Sequence, residues 1–158
     1  MSEKITTQLT TYNQTYKEID EIYRNYAKVY GLSEATFWVL YSLWESGDVC
    51  SQRELCSNWS YPPQTINSAL KVLEKKGFIE LAFVPGNRKN KQILFTSTGR
   101  ALAERVLKPL LQAECNAFSG LTDQERAMLL SATQKYIALL KKETEIILNL
   151  SLLSDSEQ

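Results

Sequence analysis

The sequence predicts a mainly α-helical chain with a small β-hairpin. Apolar residues recur at steps of three and four along most of the 158 positions, which is the spacing of helices that bury one face. One short region instead contains two runs rich in β-branched and aromatic residues, joined by residues typical of turns. The length suits one globular domain, so we predict a single domain over residues 1–158.

The first two helices are predicted from their apolar spacing and from the glycines that follow them. Apolar residues from Ile5 onward keep one stripe for about seven turns, and Gly31 ends this long first helix. Ser33 is placed to cap a second helix, which ends at Gly47. The side chains that the second helix is predicted to bury are Phe37, Leu40, Leu43 and Trp44.

The next two helices carry clear start signals. The sequence SQRE, from Ser51 to Glu54, is a capping box, in which each side chain accepts a hydrogen bond from the backbone N–H of the other residue. It predicts the start of a short third helix. A fourth helix begins at Pro62 or Pro63, because proline suits only the first turn, and ends at Gly77. Its predicted core residues, which repeat at helical spacing, are Ile66, Leu70 and Leu73.

The change from helical to strand composition follows the fourth helix. FIELAFV, residues 78–84, and KQILFT, residues 91–96, are predicted to pair as an antiparallel hairpin, with PGNRKN, residues 85–90, as the loop. Thr96 or Ser97 then begins a fifth helix. The apolar residues of this helix are Ala101, Leu102, Val106, Leu110 and Phe118.

A sixth helix starts at a second capping box, formed by Thr122 and Glu125. Its apolar residues cover more of the circumference than one buried stripe requires; they are Met128, Leu129, Leu130, Ile137, Leu139, Leu140, Ile146, Ile147, Leu148 and Leu150. The first and fifth helices can cover one side, and a second copy of the chain is the simplest cover for the other. We therefore predict a homodimer; the alternative is a monomer with a thick core.

The order of these elements is that of a winged helix-turn-helix flanked by long helices. Two segments carry a more specific match: INSALKVLEKKGFIE, residues 66–80, and NRKNKQILFTSTGR, residues 87–100. They resemble the MarR family of bacterial transcription regulators. The resemblance implies a winged helix-turn-helix DNA-binding region over residues 33–98, with dimerisation helices over residues 1–31 and 99–158.

Charge is distributed unevenly along the chain. The 18 basic and 18 acidic residues cancel overall, but residues 51–110 hold 10 basic and 4 acidic side chains. Residues 1–50 and 111–158 each hold 4 basic and 7 acidic side chains. A basic centre between acidic ends suggests that the centre of the chain contacts a polyanion while the ends have another role.

The face of the fourth helix opposite its core residues is predicted to enter a major groove. Gln64 and Asn67 are the predicted base readers, because an amide can bond the N6 and N7 positions of adenine, whereas lysine mostly contacts phosphate. We name the predicted hairpin the wing. The predicted DNA-binding residues are Pro63, Gln64, Asn67, Ser68, Lys71 and Lys75 on this helix, and Arg88, Lys89 and Lys91 at the tip of the wing. The alternative is that both are ordinary solvated surfaces.

Aromatic residues are concentrated on the first two helices, with five tyrosines on the first and two tryptophans on the second. MarR-like proteins often bind small aromatic acids where the dimerisation and DNA-reading regions meet. The resemblance therefore implies a site for a small aromatic ligand, and the candidates to line it are Tyr12, Tyr16, Tyr23 and Trp38. The alternative is that these rings pack in the core.

Several function classes are excluded by what the sequence lacks. It contains no histidine, glycine-rich phosphate loop or cluster of carboxylates, so we predict no enzyme activity, no cofactor and no metal site. The three cysteines match no disulfide framework, which is typical of reduced thiols; we expect Cys56 to be packed and Cys50 to be accessible. No apolar run approaches the length of a membrane span, and we predict a cytoplasmic protein.

Together these observations predict a transcriptional repressor that binds an inverted-repeat operator as a homodimer and responds to a ligand. A winged-helix module that binds only protein, with the wing cations contacting an acidic partner, is the alternative.

Overall fold

Six α-helices and a three-stranded antiparallel sheet make up the described part of the chain. The computed structural model describes the backbone of residues 2–59, 61–84 and 87–155, and the side chains of residues 2–56, 61–83 and 91–149. The elements are α1 (Glu3–Val29), α2 (Glu34–Glu45), β1 (Val49–Ser51), α3 (Gln52–Trp59), α4 (Pro63–Lys75), β2 (Ile79–Val84), β3 (Asn87–Phe95), α5 (Ser97–Ser119) and α6 (Asp123–Asp155). This order confirms the predicted fold class, a winged helix-turn-helix with long helices at both ends.

The chain divides into two compact units, Met1–Pro109 and Leu110–Gln158. The first contains α1 to α4, the sheet and the first half of α5, and the second contains the rest of α5 and α6. Pro109 lies inside α5, where the division falls. The finer division into a DNA-reading region and dimerisation helices stays a prediction.

All three predicted helix caps form. The Ser33 hydroxyl accepts the backbone N–H of Thr36 at 3.2 Å at the start of α2. In the first capping box, Ser51 N–H donates to Glu54 Oε2 at 2.6 Å and Glu54 N–H donates to Ser51 Oγ at 3.3 Å. The second box pairs Thr122 and Glu125 in the same way, at 2.8 and 3.2 Å. These hydrogen bonds satisfy backbone donors that a helix leaves unpaired in its first turn.

The core of the first unit lies between α2, α4, the sheet and α5. Its fully buried side chains include Phe37, Leu40, Leu43, Ile66, Leu73, Ile93, Val106 and Leu107, so the predicted apolar faces of α2 and α4 are confirmed. Trp44 differs from the prediction because it is only half-buried. The Arg100 guanidinium lies 5.9 Å from its ring centroid, so the outer side of the indole is covered by a cation instead of by core residues.

The sheet is larger than the predicted hairpin. Its order is β1-β3-β2, and β1 pairs Val49 with Leu94 and Ser51 with Gln92. Three residues are too few to show the alternation that identifies a strand in a sequence. The pairing of β1 with β3 therefore depends on a neighbour more than forty positions away in the chain.

The predicted loop over residues 85–90 is wrong in its length, because β3 begins at Asn87 instead of Lys91. Val84 pairs with Asn87, and a register shift separates this pair from the pairing of Phe83 with Lys91. Asn, Arg and Lys have low strand propensity, so the sequence reads as a turn, but cross-strand pairing overrides propensity. The backbone of Arg88 and Lys89 thus belongs to β3, whereas their side chains lie outside the described residues.

Cys50 was predicted to be accessible, and this is wrong. It lies in the middle of β1, opposite Ile93, with 4% of its surface exposed. Burial, with a smaller contribution from the nearby Glu54 carboxylate, raises the pKa of its thiol to about 12. Cys56 is half-buried, in agreement with a packing role, and Cys115 is exposed.

Much of the apolar surface of the long helices is uncovered in the single chain. On α1 only Ala27 is buried, and Ile5, Leu9, Ile19 and Ile22 are exposed. On α5, Leu102, Val106 and Leu110 are buried as predicted, but Ala101 and Phe118 are exposed. The exposed apolar residues of α6 are Met128, Leu129, Leu130, Ile137, Leu139, Leu140, Ile146, Ile147 and Leu148. Within the described residues, no helix combines the length and apolar character that crossing a bilayer requires.

Candidate DNA-binding site

The outer face of α4 presents the residues predicted to read DNA. Pro63, Gln64, Asn67, Ser68, Lys71 and Lys75 are all exposed, while Ile66, Ala69, Leu70 and Leu73 on the opposite face are buried. Residues three and four positions apart share a helix face, so Asn67, Lys71 and Lys75 form one line along α4 and Gln64 lies one turn before Asn67. Ser68 Oγ donates to the Gln64 carbonyl at 2.9 Å, which commits its only proton to its own helix.

The start of α4 is held by contacts with α1 and α2. Pro62 precedes the helix, and its carbonyl accepts Thr65 N–H at 2.9 Å. Tyr61 Oη donates to Glu34 Oε1 at 3.2 Å, and Arg24 Nε lies 3.4 Å from Glu34 Oε2. Burial and the carboxylate of Glu34 raise the pKa of Tyr61 to about 12. The sequence shows no signal for this arrangement, because its three residues are far apart in the chain.

The end of α4 is joined to the start of α5. Gly77, in a left-handed conformation (φ +71°), offers its carbonyl to Thr96 Oγ1 at 2.6 Å and to Thr98 Oγ1 at 2.8 Å. Thr96 N–H also donates to the Phe78 carbonyl at 3.2 Å, and Thr96 Oγ1 accepts Gly99 N–H at 3.0 Å. The two segments that carry the family resemblance, LEKKGFIE and FTSTG, are therefore in direct contact, which explains their occurrence at this spacing.

Helix α4 also contacts α3 through a residue that the sequence analysis missed. Gln52, the first residue of α3, donates from Nε2 to Oδ1 of Asn67 at 2.8 Å. Both side chains lie at the surface of the helix-turn-helix. The capping box at Ser51 and Glu54 marks where α3 begins, but a sequence does not show which residue of α4 its first side chain reaches.

The described part of the wing combines one cation with one exposed aromatic ring. Lys91 and Phe83 are cross-strand partners, and Lys91 Nζ lies 5.4 Å from the centroid of the Phe83 ring. Phe83 keeps 57% of its surface exposed. The sequence analysis treated Phe83 only as a strand residue, although a ring beside a cation at a wing tip is suited to contact sugar or phosphate.

The candidate ligand residues fall into two pairs. Tyr23 and Trp38 are in ring contact with centroids 5.1 Å apart, and both neighbour Phe37, at 6.4 and 4.8 Å. Tyr12 and Tyr16 form a separate pair with centroids 5.4 Å apart. Tyr16 and Tyr23 are seven positions apart, which corresponds to roughly 10 Å along α1. The structure thus brings Tyr23 and Trp38 into ring contact. Among the described residues there is no group of three or more metal-ligating side chains.

Comparison with known proteins gives consistent matches. A family model described as the MarR family matches residues 30–89. The HTH-type transcriptional regulator SarZ of Staphylococcus epidermidis is 28% identical over 121 residues, which cover 77% of this chain and 80% of that protein. The structure of NMB1585, a MarR family regulator from Neisseria meningitidis, is 25% identical with a TM-score of 0.71, covering 87% of this chain and 95% of that one. A mutant MarR from E. coli, complexed with operator DNA, shares the fold, with 20% identity, a TM-score of 0.64 and coverage of 84% and 95%.

The matched residues 30–89 run from the end of α1 to the start of β3 and include α2, α3 and the whole of α4. The relatives are transcriptional regulators rather than enzymes, in agreement with the prediction of a chain without catalytic activity. Together with the contact between the two motif segments, these matches show that residues 30–89 are similar to the MarR family of transcriptional regulators and that the chain shares the fold of solved members of that family.

Proposed function

We propose that this chain is a cytoplasmic transcriptional repressor that binds an inverted-repeat operator as a homodimer and is released by a small aromatic ligand. The observation that carries this proposal is the outer face of α4, where amide and ammonium groups stand exposed above a fully apolar inner face. An exposed helix with this division of side chains fits the major groove of duplex DNA, which is wide enough to admit one helix.

Each predicted DNA-binding residue has a chemical role in this proposal. Gln64 and Asn67 contact base edges, whereas Lys71 and Lys75 contact phosphates. Pro63 and Ser68 lie beside the reading residues and shape the surface that approaches the groove. Arg88, Lys89 and Lys91 bind the DNA backbone or reach a minor groove from the wing. The absence of acidic residues from Leu81 through Ala103 supports this role, because no carboxylate there opposes a phosphate.

The homodimer is supported by the exposed apolar residues of α6 and α1. Isolated exposed apolar residues are ordinary, but nine large ones along one helix exceed what a monomer leaves in water. A second copy of the chain covers such a surface with closed two-fold symmetry. In this arrangement residues 1–31 and 99–158 form the dimer interface, and residues 33–98 read DNA. The ligand binds beside Tyr23 and Trp38, and Tyr12 and Tyr16 are further candidates to contact it.

The decisive experiment sequences the genomic DNA fragments that the purified protein retains and then footprints the enriched site. We expect protection of an inverted repeat whose half-site centres lie about one helical turn, roughly 10 base pairs, apart. Retention of no duplex, even at low salt, would instead favour the module that binds only protein. Protection of one isolated half-site would contradict the symmetric dimer.

A single substitution tests whether α4 is the reading element. Asn67→Ala is expected to lose roughly 1 to 3 kcal/mol of binding free energy at the enriched site and much less on unrelated duplex. Asn13→Ala, the same change at an exposed position on α1, serves as the matched control and should leave both affinities unchanged. If Asn67→Ala loses the same binding free energy on every sequence, Asn67 contacts phosphate instead of a base.

A further inference from the structure

The hydrogen bond between Gln52 and Asn67 joins the two helices of the helix-turn-helix at the point where DNA is proposed to be read. Gln52 Nε2 donates to Asn67 Oδ1 at 2.8 Å. Within the described residues, neither amide makes a second side-chain hydrogen bond. The contact therefore decides how the Asn67 amide is oriented in the free protein.

The backbone at Gln52 is held by three neighbouring features. Its neighbour Ser51 ends β1, where it pairs with Gln92 of β3, and also forms the capping box with Glu54. Leu55, one turn after Ser51, is buried at 1% exposure and fixes the inner side of α3. The backbone from which Gln52 extends is thus held by the sheet, by the cap and by the core, so its side chain is presented to α4 from a fixed position.

An asparagine amide has two different ends, a carbonyl oxygen that accepts and an NH₂ group that donates. With Oδ1 held by Gln52, the NH₂ group of Asn67 points away from that contact and both its protons are available. In the major groove a donor finds an acceptor at N7 of either purine, at O6 of guanine and at O4 of thymine. Cytosine presents only its N4 amino group there, which is a donor. The outward NH₂ group of Asn67 is also a donor, so the two cannot form a hydrogen bond.

We propose that Gln52 is a positioning residue that holds the Asn67 amide with its NH₂ group outward, and that it thereby excludes cytosine from the bases that Asn67 reads. This inference rests on the proposed function, because it requires α4 to enter a major groove. It assigns Gln52 a role in specificity although Gln52 lies on α3 and precedes the reading helix by more than ten residues.

The test measures base preference by selecting bound duplexes from a library randomised over the half-site and identifying the position whose preference Asn67→Ala removes. We expect the wild-type protein to prefer purine over cytosine at that position by about tenfold or more. Gln52→Leu, which keeps a similar volume but cannot donate, should reduce the preference to about threefold or less while overall affinity changes little. Gln52→Met serves as a second neutral variant, and thermal unfolding confirms that each variant is folded.

Gln52→Glu is expected to change which bases Asn67 prefers, instead of only removing the preference. A carboxylate accepts only, so Glu at this position would bind the NH₂ group of Asn67 and turn Oδ1 outward. The preference at the mapped position should move toward cytosine and adenine, whose amino groups donate, and away from guanine and thymine. Arg53→Gln, on the same turn of α3, changes the charge by the same amount without touching the amide pair; it should weaken binding on all sequences and leave the preference as it was.

The double variant Gln52→Leu with Asn67→Ala separates positioning from independent contact. If Gln52 acts through Asn67, adding Gln52→Leu to Asn67→Ala causes no further change in preference. If the wild-type protein disfavours cytosine and Gln52→Leu and Gln52→Glu keep the same preference, this inference alone is overturned. A wild-type protein that enriches no duplex overturns the proposed function, and this inference with it.

Discussion

Gly99 lies against the backbone of Phe78. A Cβ added at Gly99 would overlap the Phe78 carbonyl oxygen and stand 2.9 Å from the Phe78 Cα. The close approach joins the start of α5 to Phe78, three positions after the end of α4, and it is stabilised by the hydrogen bonds of Thr96 and Thr98 to the Gly77 carbonyl. Only glycine permits two backbone segments to lie this close.

Gly99→Ala should therefore destabilise the first unit. The added methyl group meets backbone atoms that cannot rotate away, so we expect a loss of about 3 kcal/mol in the free energy of unfolding, measured by urea denaturation. Gly120→Ala is the matched control, because its added Cβ lies 3.2 Å from the Ala117 carbonyl and should cost less than about 1 kcal/mol. Similar stabilities for both variants would show that α5 can shift away from Phe78.

Alkaline pH should weaken the attachment of α4 to α2. In the folded protein the pKa of Tyr61 is raised from its ordinary value of 10.0 to about 12, so the neutral phenol is the form that folding favours. The resulting stabilisation is complete below pH 10 and is lost as pH rises from 10 to 12. The urea midpoint should fall over this range, and it should fall less in Tyr61→Phe.

The control for the tyrosine variant is Tyr16→Phe, an exposed position on α1. It removes a phenol without disturbing the hydrogen bond of Tyr61 to Glu34, and the ultraviolet absorbance of tyrosinate follows the titration directly. Burial also raises the pKa of Tyr26, which donates to the Val106 carbonyl at 2.7 Å, so Tyr61→Phe removes part of the alkaline loss and not all of it. An unchanged pH profile in Tyr61→Phe would exclude Tyr61 as a source of the effect.

Cys50 should resist alkylation in the folded protein. Its thiol is buried and its pKa is raised to about 12, so the reactive thiolate is scarce at pH 8. We expect iodoacetamide to modify Cys50 at least about a hundredfold more slowly in buffer than in urea, as measured by mass spectrometry of the digested chain. Equal rates in the two conditions would mean that β1 opens readily.

Substitutions on α6 test the proposed dimer. Leu139 and Ile146 are 52% and 47% exposed in the single chain, so replacing both with Glu removes little packing within it. We expect this double variant to sediment as a monomer, and deletion of residues 121–158 to do the same. Lys135→Glu, at an exposed polar position of the same helix, is the control for charge and should remain dimeric. A dimeric double variant would place the interface elsewhere.

Removal of the wing cations should change the salt dependence of DNA binding more than its sequence preference. Each phosphate contact contributes about 0.9 to the slope of log K against log salt, so Lys91→Ala in a dimer should reduce that slope by up to roughly 2. The triple change of Arg88, Lys89 and Lys91 to Ala should reduce it further. Lys17→Ala on α1 should leave it unchanged, and a triple variant with the wild-type slope would make the wing an ordinary solvated turn.

Elements whose signals are local were predictable from the sequence. The caps at Ser33, Ser51 and Thr122 depend on residues three positions apart, and all three form. The buried faces of α2 and α4 follow from helical periodicity, which fixes which side chains share a face whatever packs against it. The exposed outer face of α4, and with it the candidate reading residues, followed from the same periodicity.

Tertiary structure decided the features that depend on partners distant in the chain. The three residues of β1 become a strand only by pairing with β3, and this pairing buries Cys50. The polar start of β3 is a strand because Val84 lies opposite Asn87, against the local propensity of its residues. The contact of Gln52 with Asn67 and that of Gly99 with Phe78 likewise arise where separate segments meet. A sequence records which groups a residue carries, whereas the backbone path decides which other groups they reach.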